Sequence, residues 1–185
     1  MNTENNFKLI IGEIQEYLEL INFQQIEEIV DYIMTSEKIY IAGAGRSGVF
    51  LKGFANRLMH LGKKVYFIGD ITTPAAKEND LLLITSGSGL TETMVTLAKK
   101  AKKLKVNIAL LTMNDESELA KISNVFATIP GKTPRLEGLG YKSSQPMATI
   151  FEQLSGLLYD AMILTLMDKM GVSEKEMYNR HANLE

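Results

Sequence analysis

Cysteine is absent from this 185-residue chain. That excludes a disulfide scaffold, an iron–sulfur centre and a cysteine-built zinc site. Histidine is scarce: His60 and His181 are too few to make a histidine-rich metal site unaided, and no metal site is expected. Charge of one sign is lacking too. Twenty basic residues stand against 22 acidic ones, a net −2, whereas a binder of double-stranded nucleic acid carries a strong basic bias. Residues 1–10 include Glu4 and Lys8 and hold no apolar signal-peptide core. The most apolar stretch, 147–170, is interrupted by Glu152, Asp160, Asp168 and Lys169, which argues against a membrane span. The expectation is a cytoplasmic protein with no nucleic-acid or membrane partner. What is present is an ordinary globular mixture, 45% hydrophobic and 23% charged. A chain this long buries roughly two thirds of the surface it exposes when unfolded.

Two amphipathic helices open the chain. Phe7, Ile10, Ile14, Tyr17 and Ile21 recur at spacings of three and four, as do Ile26, Ile29, Val30 and Ile33 after a break near Asn22. Five short apolar runs come next, at 38–42, 64–68, 81–85, 107–112 and 125–129. Runs apolar on both faces suit parallel strands covered by helices. Helical stretches at 47–61 and 91–105 alternate with them, which predicts a doubly wound α/β sheet. Lys99, Lys100, Lys102, Lys103 and Lys105 suit the end of the second stretch. They make a poor RNA patch, because no aromatics interleave with them. Residues 130–145 are rich in Pro and Gly, lack any period, and are long enough to predict a functional loop or lid. Pro146 suits the first turn of the next helix. That helix, apolar nearly all round from Ile150 to Met167, belongs in the core or at a subunit interface. The reading is one domain: a helical arm (1–36), an α/β core (37–170) and a tail with a short helix (171–185).

Two glycine turns carry the functional signal. The first run ends in Gly43-Ala-Gly45-Arg46-Ser47-Gly48, a G-x-G-x-x-G pattern, with Asp70 further on. A dinucleotide site is the first idea it raises, but no second domain is left to present a hydride acceptor. The third run ends in Thr85-Ser86-Gly87-Ser88-Gly89-Leu90-Thr91-Glu92 and opens a helix. Convergent backbone N–H groups, a helix N-terminus and hydroxyls form a receptor for a compact phosphate. No lysine stands in a Walker A position, so a nucleoside triphosphate does not fit. The plainer use of Ser86 and Thr91 is to cap the helix, with Glu92 favouring the same terminus.

The motifs GAGRSG (43–48), RLMHLG (57–62), SGSGLTE (86–92), QPMATIFEQ (145–153) and RHANLE (180–185) resemble the 6-phospho-3-hexuloisomerases of the sugar isomerase (SIS) domain family. The resemblance spans essentially the whole chain. It implies a five-stranded parallel sheet between helices, a homotetramer, and a cofactor-free interconversion of D-arabino-3-hexulose 6-phosphate and fructose 6-phosphate. That reaction belongs to the ribulose monophosphate route of formaldehyde fixation. Related isomerases of five-carbon phosphosugars carry a glutamate where this chain has Leu90.

Moving a carbonyl from C3 to C2 needs one base, to carry a proton from C2 to C3 through a 2,3-enediol. Glu152, early in the apolar helix, is the candidate. Burial raises such a carboxyl, while a cation and the helix N-terminus lower it. His181 is the candidate for proton transfer between the two oxygens. His60 reads as a partner of a helix C-terminus. Gly45, Arg46, Ser47, Ser86, Gly87, Ser88 and Thr91 are the expected substrate-binding set. The competing readings are a non-catalytic phosphosugar sensor and an isomerase of another phosphosugar, such as arabinose 5-phosphate.

Overall fold

The computed structural model describes residues 2–136 and 141–184. Its centre is a parallel five-stranded sheet of β1 (Lys38–Gly43), β2 (Lys64–Phe67), β3 (Leu81–Thr85), β4 (Asn107–Thr112) and β5 (Val125–Thr128), in the order β2-β1-β3-β4-β5. Side chains on a strand alternate between faces, and here both faces are apolar. Ile39, Ile41, Leu81, Leu83, Ala109 and Leu111 enter one core. Tyr40, Ala42, Leu82, Ile84, Ile108 and Leu110 enter the other. This is why these runs read as unbroken hydrophobic segments rather than as alternating ones.

One core is roofed by α1 (Thr3–Leu18), α2 (Phe23–Thr35), α3 (Gly45–His60) and α6 (Thr149–Met170). The other is covered by α4 (Glu92–Lys103) and α5 (Glu118–Ile122). The layers are therefore helix, sheet, helix, as the alternation of elements implies. A short α7 (Glu174–Tyr178) is closed by a capping box between Ser173 and Glu176. By length and hydropathy α6 is long and apolar enough to cross a membrane, yet 56% of its most apolar window is buried inside this fold. It is the central helix of the first core, with Phe151, Tyr159 and Leu166 fully covered. Tyr159 stacks on Phe54 at 4.7 Å and shares a 2.5 Å hydrogen bond with Thr85 at the end of β3.

Pro146 does not occupy the first turn of α6. The helix begins three residues later at Thr149. Between them Met147 takes a left-handed φ of +57°, which a non-glycine residue adopts only when its surroundings hold it there. Of the irregular segment 130–145, residues 137–140 lie outside the described residues. Its two flanks touch: Lys132 donates to the Ser143 carbonyl at 3.2 Å.

Candidate active site

The order of the strands dictates where a ligand goes. From β1 the chain moves outward to β2, then returns past β1 to β3 and onward to β5. The reversal leaves a crevice at the carboxyl ends of β1 and β3, the binding place of open α/β sheets. Gly43 and Thr85 end those two strands side by side. Each is followed by one of the glycine turns.

The first turn must bring α3 directly against β1. Gly45, at φ +59°, makes the left-handed step into the helix. Gly48 then lies against Gly43 so closely that a methyl group on it would sit 2.4 Å from the Gly43 carbonyl oxygen. In the second turn Gly89 is also left-handed, at φ +65°, and is pressed against Ser117. Ser86 and Ser88 are buried. The Ser88 hydroxyl accepts from the Leu90 amide at 3.2 Å, and Asn114 holds the Ser88 carbonyl at 3.3 Å. Leu90 faces outward, about half exposed.

The helix starts at the crevice differ from the others in their caps. A helix start leaves four backbone N–H groups without intrahelical partners. In α1, α2, α5 and α7 a side chain of Asn2, Asn22, Ser117 or Ser173 takes one of them. At α3, α4 and α6 the capping residues Ala44, Thr91 and Ala148 give no side-chain cap. Thr91 instead turns its hydroxyl toward Ser86, 3.4 Å away. The capping role that the sequence allows for Thr91 is therefore not the one it plays here. The helices with uncapped starts are those that meet at the crevice, where their donors and dipoles favour an anion.

Glu152 joins this group from α6. Its carboxylate lies 3.5 Å from the Arg46 guanidinium, and its side chain is only 11% exposed. Burial pushes the Glu152 carboxyl above its ordinary range, while the Arg46 charge and a hydrogen bond from Ser47 oppose the rise. Arg46 is in turn fixed by Thr149, 3.2 Å from its Nη1, and by the Phe50 ring 5.4 Å beneath it. Phe151, next to Glu152, packs against Gly87, where an added methyl would meet its ring at 3.3 Å. So α6 presents a shielded carboxylate between the two turns. Thr149 is not legible in the sequence, because its partner is 103 residues away. Phe50, one helical turn from Arg46, is within reach of periodicity alone.

His181 stands elsewhere. It stacks on His60 at 5.2 Å, at the far end of α3. That helix has 16 residues, about 24 Å at 1.5 Å per residue, so within one chain His181 is not brought to Glu152. His60 is buried rather than solvated. Burial, Arg57 and His181 all push its ring toward the neutral form. Arg180 ties the tail down by donating to the His60 carbonyl at 3.0 Å. A cavity of about 680 Å³ opens beside this pair, lined by Arg57, Met167 and Tyr178.

Comparison with known proteins gives consistent results. The SIS domain model matches residues 32–160. A Bacillus subtilis (strain 168) protein named 3-hexulose-6-phosphate isomerase is 40% identical over 185 residues, the full length of both chains. One of that name from Methanocaldococcus jannaschii is 39% identical over 164 residues, 86% of this chain and 84% of its own. The crystal structure of a Methanococcus jannaschii protein, inferred to be a 3-hexulose-6-phosphate isomerase, superimposes with a TM-score of 0.82 at 33% identity. It covers 98% of this chain and 99% of its own. By sequence and fold, this chain belongs to the SIS domain family.

Proposed function

We infer that this protein interconverts D-arabino-3-hexulose 6-phosphate and fructose 6-phosphate, without a cofactor, as the ribulose monophosphate route requires. The observation that carries the reading is Glu152, a shielded carboxylate with a raised affinity for protons beside the turn that suits a phosphate. The names of its relatives supply the substrate. The phosphate sits on Ser47, Ser86, Ser88, Thr91 and the adjacent amides of Gly45 and Gly87. Arg46 holds the sugar oxygens and neutralises charge that grows on them. Glu152 removes the proton from C2 of the hexulose and returns it to C3 through the 2,3-enediol. Protons must also leave O2 and arrive at O3, and this is the work of His181. The deciding experiment is incubation with fructose 6-phosphate in deuterated water. Deuterium is expected at C2 of the hexulose phosphate and at C3 of recovered fructose 6-phosphate. Binding without exchange would replace this reading with that of a sensor.

Ser88→Ala is expected to raise KM, by on the order of 1–3 kcal/mol of lost binding, with kcat near the parent value. Titration of substrate into the inactive Glu152→Gln background checks the same loss by calorimetry.

The reading includes a homotetramer and a cytoplasmic location. Phe7, Val49, Leu157 and Leu164 are more than half exposed, and an apolar groove of about 530 Å³ runs between α1, α3 and α6. Apolar surface of this kind is hidden by association. The separation of His181 from Glu152 supports a site completed by a neighbouring subunit. Light scattering should give about four times 20.6 kDa. Co-refolding inactive Glu152→Gln with inactive His181→Ala should recover activity, since mixed tetramers contain intact sites. A monomer in solution, or no recovery, would remove the shared site.

A further inference from the structure

Near the start of the chain, Glu13 on α1 makes a cluster of hydrogen bonds that the proposed reaction does not use. Its carboxylate accepts from the Ser144 amide at 2.6 Å, the Ser143 hydroxyl at 2.7 Å and the Gln145 side-chain amide at 3.0 Å. Three consecutive residues thus converge on one side chain about 130 positions away. Gln145, although polar, is buried, and its backbone amide donates to the Ser143 hydroxyl at 3.0 Å. One turn further along α1, the Tyr17 hydroxyl donates to the Lys142 carbonyl, and its ring meets Tyr141 edge-on at 5.8 Å. Burial alone would raise the Glu13 carboxyl, but the donors of Ser144, Gln145 and Ser143 outweigh it and hold it below its ordinary range.

The residues after Gln145 connect this clamp to Glu152. The Pro146 carbonyl accepts from both the amide and the hydroxyl of Thr149, at 3.2 and 2.7 Å. The Thr149 hydroxyl accepts from Arg46, and Arg46 faces Glu152. Between Pro146 and Thr149 lies the left-handed, exposed Met147. A left-handed non-glycine residue is strained and persists only where its neighbours fix it. No side chain caps α6, so the entry into that helix is set by the segment before it.

We propose that Glu13 is a positioning residue: by gripping residues 143–145 it fixes the entry of α6, and through Pro146 and Thr149 it sets the distance between Arg46 and Glu152. The role in turnover rests on the isomerase reading above; the role in geometry does not. Misplacing a reacting group by as little as 1 Å costs up to about a hundredfold in rate, so a released clamp acts on kcat.

The test is Glu13→Gln in the full-length protein, with two readouts. The first is steady-state kinetics. A kcat about tenfold lower with KM changed less than twofold is expected, and Glu13→Asp, which keeps the charge, should recover part of the loss. The second needs no turnover. Carbon-13 titration of the Glu152 carboxyl, assigned by its disappearance in Glu152→Gln, should move to higher pH, because Arg46 is the charged group that faces Glu152 and opposes its protonation. If Glu13→Gln does not fold, Ser143→Ala breaks the same clamp from the other side and is read identically. A Glu152 titration at its parent position overturns the proposal, even if the melting temperature falls. A shifted titration in the variant, together with no deuterium exchange in the parent protein, would sustain the clamp and overturn the isomerase reading.

Discussion

Glu152→Gln is expected to lower kcat by about 10²–10⁴-fold, with KM for the phosphosugar close to that of the parent. The amide keeps the shape of the side chain and removes only the base. The proton it carries is in flight only in the transition state, so the loss falls on turnover rather than on binding. Burial and Arg46 pull the carboxyl in opposite directions, and burial prevails. The parent enzyme should therefore lose kcat/KM, as pH falls, at a higher pH than an exposed glutamate would set. The same sign governs stability. A carboxyl that binds its proton more tightly when folded costs stability above that limb. The glutamine variant should thus melt no lower than the parent near neutral pH, which separates lost catalysis from lost folding. Asp160 is the control. It lies on the same helix, about 80° around from Glu152, and it is exposed. Asp160→Asn should leave turnover near the parent value. The reverse pattern would move the base to Asp160.

Gly48→Ala is expected to cost about 3 kcal/mol or more, an overpacking penalty at the high end. For a domain of this size that is a fall in Tm of roughly 6–12 °C. The added methyl would lie 2.4 Å from the Gly43 carbonyl oxygen, and the obstacle is backbone, so no rotamer relieves it. Either α3 moves away from β1 or the turn holding Arg46 opens. Gly53→Ala, five residues along the same helix, has the opposite expectation. Nothing lies within 4 Å of its new methyl group, and alanine gains about 0.5–1 kcal/mol over glycine inside a helix. Thermal melts of the two variants decide it. Equal shifts in the same direction would mean that close approach at Gly48 is not what brings α3 to the sheet.

These two glycines also mark how far a sequence can be read. The strands are legible because a parallel sheet buries both faces, leaving runs such as 81–85 without a polar break. The ends of β1 and β3 are legible because glycine turns come directly after them. Five residues of α5 are too few to display a period, so the sequence does not announce that helix. The start of α6 lies beyond Pro146 because proline marks a helix entry only statistically, whereas here the chain first turns left-handed at Met147. In the site, Arg46 and the serines are local to their motifs and are legible there. The pairing of Arg46 with Glu152 spans 106 positions, and the seat of His181 against His60 spans 121. No local pattern encodes either contact, and only the packing of α3, α6 and the tail discloses them.

The grip of Glu13 on residues 143–145 bears on how the chain is made. A ribosome adds about 5–20 residues per second, so the first helix (Thr3–Leu18) is finished roughly 6–25 s before the segment it must hold has been synthesised. Throughout that interval Phe7, Ile10 and Ile14 have no α6 to lie against. The sheet can assemble strand by strand behind them, while the earliest helix to be made is among the last to dock. A truncated nascent chain ending before residue 143 should therefore carry a sticky, unfastened first helix, the natural landing point for a chaperone.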